Sequence, residues 1–451
     1  QRHFQGLSTV TRMTQAGSTE HSGGDRTASI RAFYDHAHGQ MKANDLDEAE
    51  RPLRRAVAIY ERDPNILCLL GEVQLRQGSP RAARRWFLRT LELLPDYPRA
   101  LEGAGQQQSP DVETASAPAQ DVVGAVPRTI DPHPDEVHFG ELRMLTDGGE
   151  NAEAYFSHDG SELIFQSTRE PLQCDAIFRM RADGSEVRQL SSGRGVTTCA
   201  FIAPDNRSII YASTHREHEV CPPKPDYTHG YVWPLYPEYD IFTAGPEGEN
   251  PQALTDSPGY DAEAVYSPTG ERIVFTSVRS GDLELYLMQP DGSGVEQLTD
   301  TPGYDGGAFF SLDGEWIVWR ASRPRGAALE EYRALLAEGL IRPGQLELYI
   351  MNLEERKPIQ LTDNGAANFG PYWHPDGKRI IFSSNLHNPD GRNFDLFLID
   401  IDSRDIERIT HYDGFDGFPM FSHDGKKLVF ASNRNGKVRG ETNVFIADWR
   451  W

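Results

Sequence analysis

"TDSPGYDAEAVYSPTGERIVFTS" (residues 255–277) and "TDTPGYDGGAFFSLDGEWIVWRAS" (residues 299–322) align without a gap at a spacing of 44 residues. Each holds a turn, an aspartate (Asp261, Asp305), an apolar run, a second turn and another apolar run. Apolar runs this short, bounded by Gly, Pro and Asp, read as antiparallel strands joined by a hairpin. The pattern recurs six times. Its first strands carry "AEAYFSHDG", "TCAFIAPDN", "AEAVYSPTG", "GGAFFSLDG", "FGPYWHPDG" and "GFPMFSHDG". Second strands follow ("ELIFQSTR", "SIIYASTH", "RIVFTSVR", "WIVWRASR", "RIIFSSNL", "KLVFASNR"), then third strands such as "LELYLM" and fourth strands such as "VEQL".

Four short antiparallel strands per unit of about 45 residues is the arithmetic of a propeller blade. The sixth unit stops at Trp451 after its third strand, and a stray fourth-type strand, "ELRML" (residues 141–145), precedes the first. That strand is expected to complete the last blade and close the ring, which removes the open sheet edges. The fold class expected is an all-β six-bladed β-propeller of four-stranded blades, closed by an N-terminal strand, behind a small all-α domain. Over roughly residues 139–451 the repeat resembles the WD40-like repeat of the TolB propeller family, in words such as "SPTGERIVFTSVRSGDLELYLMQPDGSGVEQLTD". The resemblance implies the same ring and a predominantly binding role. The helical segment upstream sets this chain apart from TolB itself, so a place beside the Tol–Pal system is not implied.

Residues 28–105 are rich in Ala, Leu, Arg and Glu at helical spacing and repeat at 34 residues. Ala37 matches Gly71, Asn44 matches Gly78, Ala49 matches Ala83, Leu53 matches Phe87 and Ala56 matches Thr90. The unit "NILCLLGEVQLRQGSPRAARRWFLRTLELLP" resembles the tetratricopeptide repeat. So short an array is marginal alone, so it is expected to lean on another surface. Residues 1–27 read as a flexible N-terminal segment, residues 106–138 as a Pro- and Ala-rich linker, and residues 139–451 as the propeller.

The 451 residues carry a formal charge of -23 with 38% apolar content. That charge argues against nucleic acid and anionic membrane surfaces as partners, and no run is long enough to span a bilayer. The expected partners are proteins or peptides, in the periplasm or outside the cell, with any signal peptide already removed.

One position recurs in front of every first strand: Asn151, Thr197, Asp261, Asp305, Asn368 and Asp416. Two readings stand: each side chain caps its own turn, or Asp261, Asp305, Asp416, Asn151 and Asn368 form an oxygen-rich ring for a hard cation, with Ca²⁺ the candidate. Arg169, Arg279, Arg323 and Arg434 end second strands and are expected to pair within their repeats. The long insertions share one face, where loops build sites. The blade-two insertion gathers His215, His229, Tyr231 and Trp233 as candidate ligand contacts, and His387 in blade five is a further candidate. Cys221 is expected to bridge Cys174 or Cys199, which would indicate an oxidising compartment. No nucleophile elbow, phosphate loop or zinc-helix motif is present. The function expected is therefore a non-catalytic protein-binding scaffold. The alternatives are a metal-assisted hydrolase or lyase at the channel mouth, and an accessory subunit of a larger envelope complex.

Overall fold

The computed structural model describes residues 23–59, 62–105, 120–122, 124–225, 227, 230–389 and 391–451. Six antiparallel sheets form the blades; five take their strands in chain order, and the last adds Phe139–Met144 to the final three strands of the chain. The innermost strands are Glu150–Phe156, Thr197–Ile202, Asp261–Tyr266, Asp305–Phe310, Asn368–Trp373 and Asp416–Phe421. Second and third strands are buried almost throughout, for example Ile273–Ser277 and Glu284–Met288, because each blade packs between two others. In every blade the fourth-strand hydroxyl accepts a bond from a third-strand N–H: Ile241 to Thr255, Leu285 to Thr299, Leu348 to Thr362 and Leu396 to Thr410, with Ser191 and Thr146 serving the other two.

The ring closes as expected. Strand Phe139–Met144 pairs antiparallel with Asn443–Trp449, placing Leu142 opposite Ala447 and Met144 opposite Phe445. The segment read as linker does more than span a gap. Arg128–Ile130 adds a fifth strand to this last blade, and Gln120–Asp121 adds one to the first. Glu136 is buried beneath Arg434, accepting from its Nη2 at 3.0 Å.

The N-terminal helices are Gly23–Lys42, Leu46–Ile59, Pro64–Arg76, Pro80–Leu93 and Pro98–Gly105. Three of them open on proline, whose fixed φ and missing N–H suit the first helical turn. Asn44 and Gly78 hold positive φ (60° and 82°) at matching turns of the 34-residue period. Phe87 wedges between Gly71 and Gly103, where any Cβ would collide with its ring. The array does lean on the propeller. Arg85 is buried against Asp240 of blade two and donates from Nε to Asp256 at 2.7 Å, while helix Leu46–Ile59 packs on helix Ala327–Ala337 of the blade-four insertion.

Candidate functional site

The recurrent position before each first strand proves to be a blade-to-blade staple. Its backbone N–H donates to a carbonyl at the start of the preceding blade's third strand in all six cases: Asn151 to Thr442, Thr197 to Asp175, Asp261 to Tyr239, Asp305 to Leu283, Asn368 to Leu346 and Asp416 to Phe394. Its side chain then bonds the residue two places beyond the second strand's small residue. Asp261 accepts from Arg279 at 3.0 Å, Asp305 from Arg323 at 2.7 Å, Asp416 from Arg434 at 2.6 Å, and Asn151 from Arg169 at 2.7 Å. Where that partner is His215 or Leu386, the ring residue is the neutral Thr197 or Asn368. An aspartate therefore stands only where an arginine answers it. Most side-chain oxygens of Asp261, Asp305, Asp416, Asn151 and Asn368 are thereby engaged within the protein, in keeping with the structural of the two readings, while Asp416 Oδ1 has no hydrogen-bond partner. Among the described residues no three His, Cys, Asp or Glu side chains gather as metal ligands.

His215 takes the place of the arginine in blade two: its Nδ1 lies 2.9 Å from Ser213 Oγ and its ring sits on Phe242 at 4.4 Å. Burial, then the neighbouring Arg216, Arg194 and Arg81, push it down to about 4, so it is neutral at pH 7. His387 lies elsewhere, with Nδ1 3.2 Å from the buried Asp395 of blade five. His229 lies outside the described residues. Tyr231 and Trp233 stand together, with Trp233 over Arg320. Trp233–Pro234 pairs with Leu340–Ile341, tying the blade-two and blade-four insertions into one lid. The indole donates to Tyr231 Oη at 3.1 Å, and its face covers the guanidinium of Arg320 at 5.3 Å.

Beneath this lid lies a cavity inside the ring, open to solvent on one side. Each innermost strand slips register at its third residue, a bulge repeated in all six blades. The bulged residues are Glu153, Cys199, Glu263, Gly307, Gly370 and Phe418, all at positive φ and all lining the cavity. Glu263 accepts from Arg320, from Thr276 Oγ1 at 2.7 Å and from the Gly307 N–H at 2.9 Å. A Cβ at Gly307 would fall on the Arg320 guanidinium, so glycine there makes room for it. Burial and Glu263, opposed by Arg320 and by a hydrogen bond from Cys199, push Glu153 up to about 7. Burial and the same glutamates raise the Cys199 thiol well above its ordinary range. The six aligned first strands carried this site at one column, the third residue, which the sequence reading passed over in favour of the first.

Cys174 and Cys221 form a disulfide with Cα atoms 5.8 Å apart, while Cys199 of the lumen and Cys68 of the helices are free. Glu284, 2% exposed, has one carboxyl oxygen with no hydrogen-bond partner. Burial and then Asp305 raise it to about 9. A carboxyl whose folded pKa lies above its unfolded value stabilises the fold at low pH, and that contribution is lost as pH rises toward the folded pKa. Stability is thus expected to fall between about pH 5 and about pH 9. Glu284→Gln should flatten the fall, raising the midpoint of denaturant unfolding at pH 8.5 with little change at pH 5. Parallel profiles for both proteins would contradict it.

No protein-family model matches the chain, and no curated protein matches it. Several solved structures are similar in fold. A putative TolB from Agrobacterium tumefaciens is 17% identical, covering 68% of this chain and 92% of its own, with a TM-score of 0.46. TolB from Acinetobacter baumannii is 19% identical over 67% of this chain and 65% of its own, at 0.44. Oligogalacturonate lyase from Vibrio parahaemolyticus is 13% identical over 74% of this chain and 98% of its own, at 0.44. At these scores the likenesses carry no argument about activity, and the ring rests on the strand register given above.

Proposed function

We propose that this protein is a non-catalytic binding scaffold, holding partner proteins on the face where its helices and its lid meet. The observation that carries the reading is the buried ion pair between Arg85 and Asp240. It fixes the helical array beside the blade-two and blade-four insertions, so one composite surface results. Tyr227 and Tyr231 are 48% and 56% exposed on that surface, as anchors of protein interfaces are before binding. The Cys174–Cys221 bridge supports an oxidising compartment, hence the periplasm or the extracellular space. In an envelope complex the same surface would serve an accessory subunit. No helix among the described residues is long and apolar enough to cross a membrane.

Crosslinking in an extract of the source envelope tests this. The full chain should capture a defined partner that the double variant Tyr227→Ser, Tyr231→Ser binds at least about tenfold more weakly. Equal capture by both proteins would move recognition away from the lid. One observation favours a second reading, a hydrolase or lyase working inside the ring: Glu153, held near 7, titrates where general acids and bases work. Turnover that survives Glu153→Gln would dismiss it.

A further inference from the structure

The lumen of the ring contains two cavities that meet at Val265 and Phe309. The lower one opens on the face of the hairpin turns. The last residues of five inner strands, Phe156, Tyr266, Phe310, Trp373 and Phe421, line it with aromatic rings. Tyr155 and Phe309, 5.3 Å apart and edge to face, stand at the passage to the upper cavity. A cation travelling this route meets ring faces first and carboxylates last. The chain's charge of -23 would draw it in.

In the upper cavity two needs are unmet. Arg320 is the one cation among the lining residues, and it is already bonded to Glu263. Glu153, which takes a hydrogen bond from Cys199 and faces Asp175, thus shares the charge of Arg320 with Glu263. Arg320, 8% exposed, has its Nε buried with no hydrogen-bond acceptor. A buried donor lacking an acceptor and two buried carboxylates sharing one cation are each costly, and one ligand answers both.

We propose that the lumen binds a small amino-alcohol cation, with its ammonium at Glu153 among Tyr155, Phe309 and Phe418 and its hydroxyl oxygen accepting from Arg320. The binding site is separate from the lid surface, so its fate and that of the scaffold reading are independent. Because Glu153 carries a proton part of the time at neutrality, the cation must displace it. Affinity therefore rises with pH through about 7, and binding releases protons. His158 and His423, whose rings meet at 4.3 Å and a 56° tilt, stand in the lower mouth on the same path.

Calorimetry on the full chain with choline as probe tests the proposal. Choline itself does not titrate, so protons released in buffers of different ionisation enthalpy come from the protein. Saturable binding with proton release is expected. The neutral isostere 3,3-dimethyl-1-butanol should bind at least about tenfold more weakly, and Glu153→Gln should weaken choline by a similar factor. The proton count on the unaltered protein stands even if that variant folds poorly. Equal binding of choline and its isostere, an affinity indifferent to pH, or no saturation by ~10 mM would overturn it.

Discussion

Replacing Arg85 with alanine is expected to uncouple the helical array from the ring. Arg85 is 3% exposed and Asp240 fully buried, so the substitution strands a carboxylate that has lost its cation. Burial already pushes Asp240 up to about 7 even with Arg85 in place. At pH 8, where Asp240 must stay ionised or take up a proton against the gradient, the loss should be about 3–5 kcal/mol. It should appear as an earlier melting transition of the helices, resolved from that of the propeller by far-UV circular dichroism. The double variant Arg85→Met, Asp240→Leu removes both charges and should recover most of the loss, since apolar residues of similar volume often replace buried ion pairs without harm. Unchanged melting of Arg85→Ala at pH 8 would show that the joint is held by helix Leu46–Ile59 on helix Ala327–Ala337 alone.

A proline at residue 142 should open the ring. Leu142 is fully buried in a strand that pairs on one side with Asn443–Trp449 and on the other with Arg128–Ile130. Proline there deletes a ladder donor in a central strand and drives its ring against a neighbour, which costs about 3 kcal/mol or more. The effect should exceed that single bond, because the hydrogen-bonded ladder of this strand joins the end of the chain to its beginning within one sheet. Opened, the first and last blades would each expose an apolar face. Val126→Pro, at an exposed site outside any strand, is the control and should change stability by less than ~0.5 kcal/mol. Equal midpoints of urea unfolding for the two variants would remove the closure from the list of stabilising features.

Much of this molecule was legible in its residues. The blade count, the closing strand and the pairing of Arg279, Arg323 and Arg434 within their repeats follow from periodicity. Each is a local pattern written several times over, and repetition averages away the ambiguity of any one copy. The bridge from Cys221 was expected as well, though its partner, Cys174, was chosen only by proximity in space. The site was less legible. Asp261 and its equivalents stand out because charge is rare in a strand, and the structure adds that their backbones pin one blade to the next. His215 stands out in a histidine-rich loop, and the structure adds that it occupies the place of an arginine. Glu153 and Glu263 carry no local signal of their own. The bulge, which a two-residue alternation cannot anticipate, turns them into the lumen.

The sequence by itself determined the ring: its strand alternation, turn residues and repeat length admit one way of burying every apolar face. Tertiary structure alone decided which polar groups are satisfied and which are left wanting. Arg320 reaches Glu263 across 57 residues and Arg85 reaches Asp240 across 155, and no local pattern encodes such meetings. Closure sets them, by bringing blades distant in the chain to a common axis where a few ångströms settle whether a charge is answered.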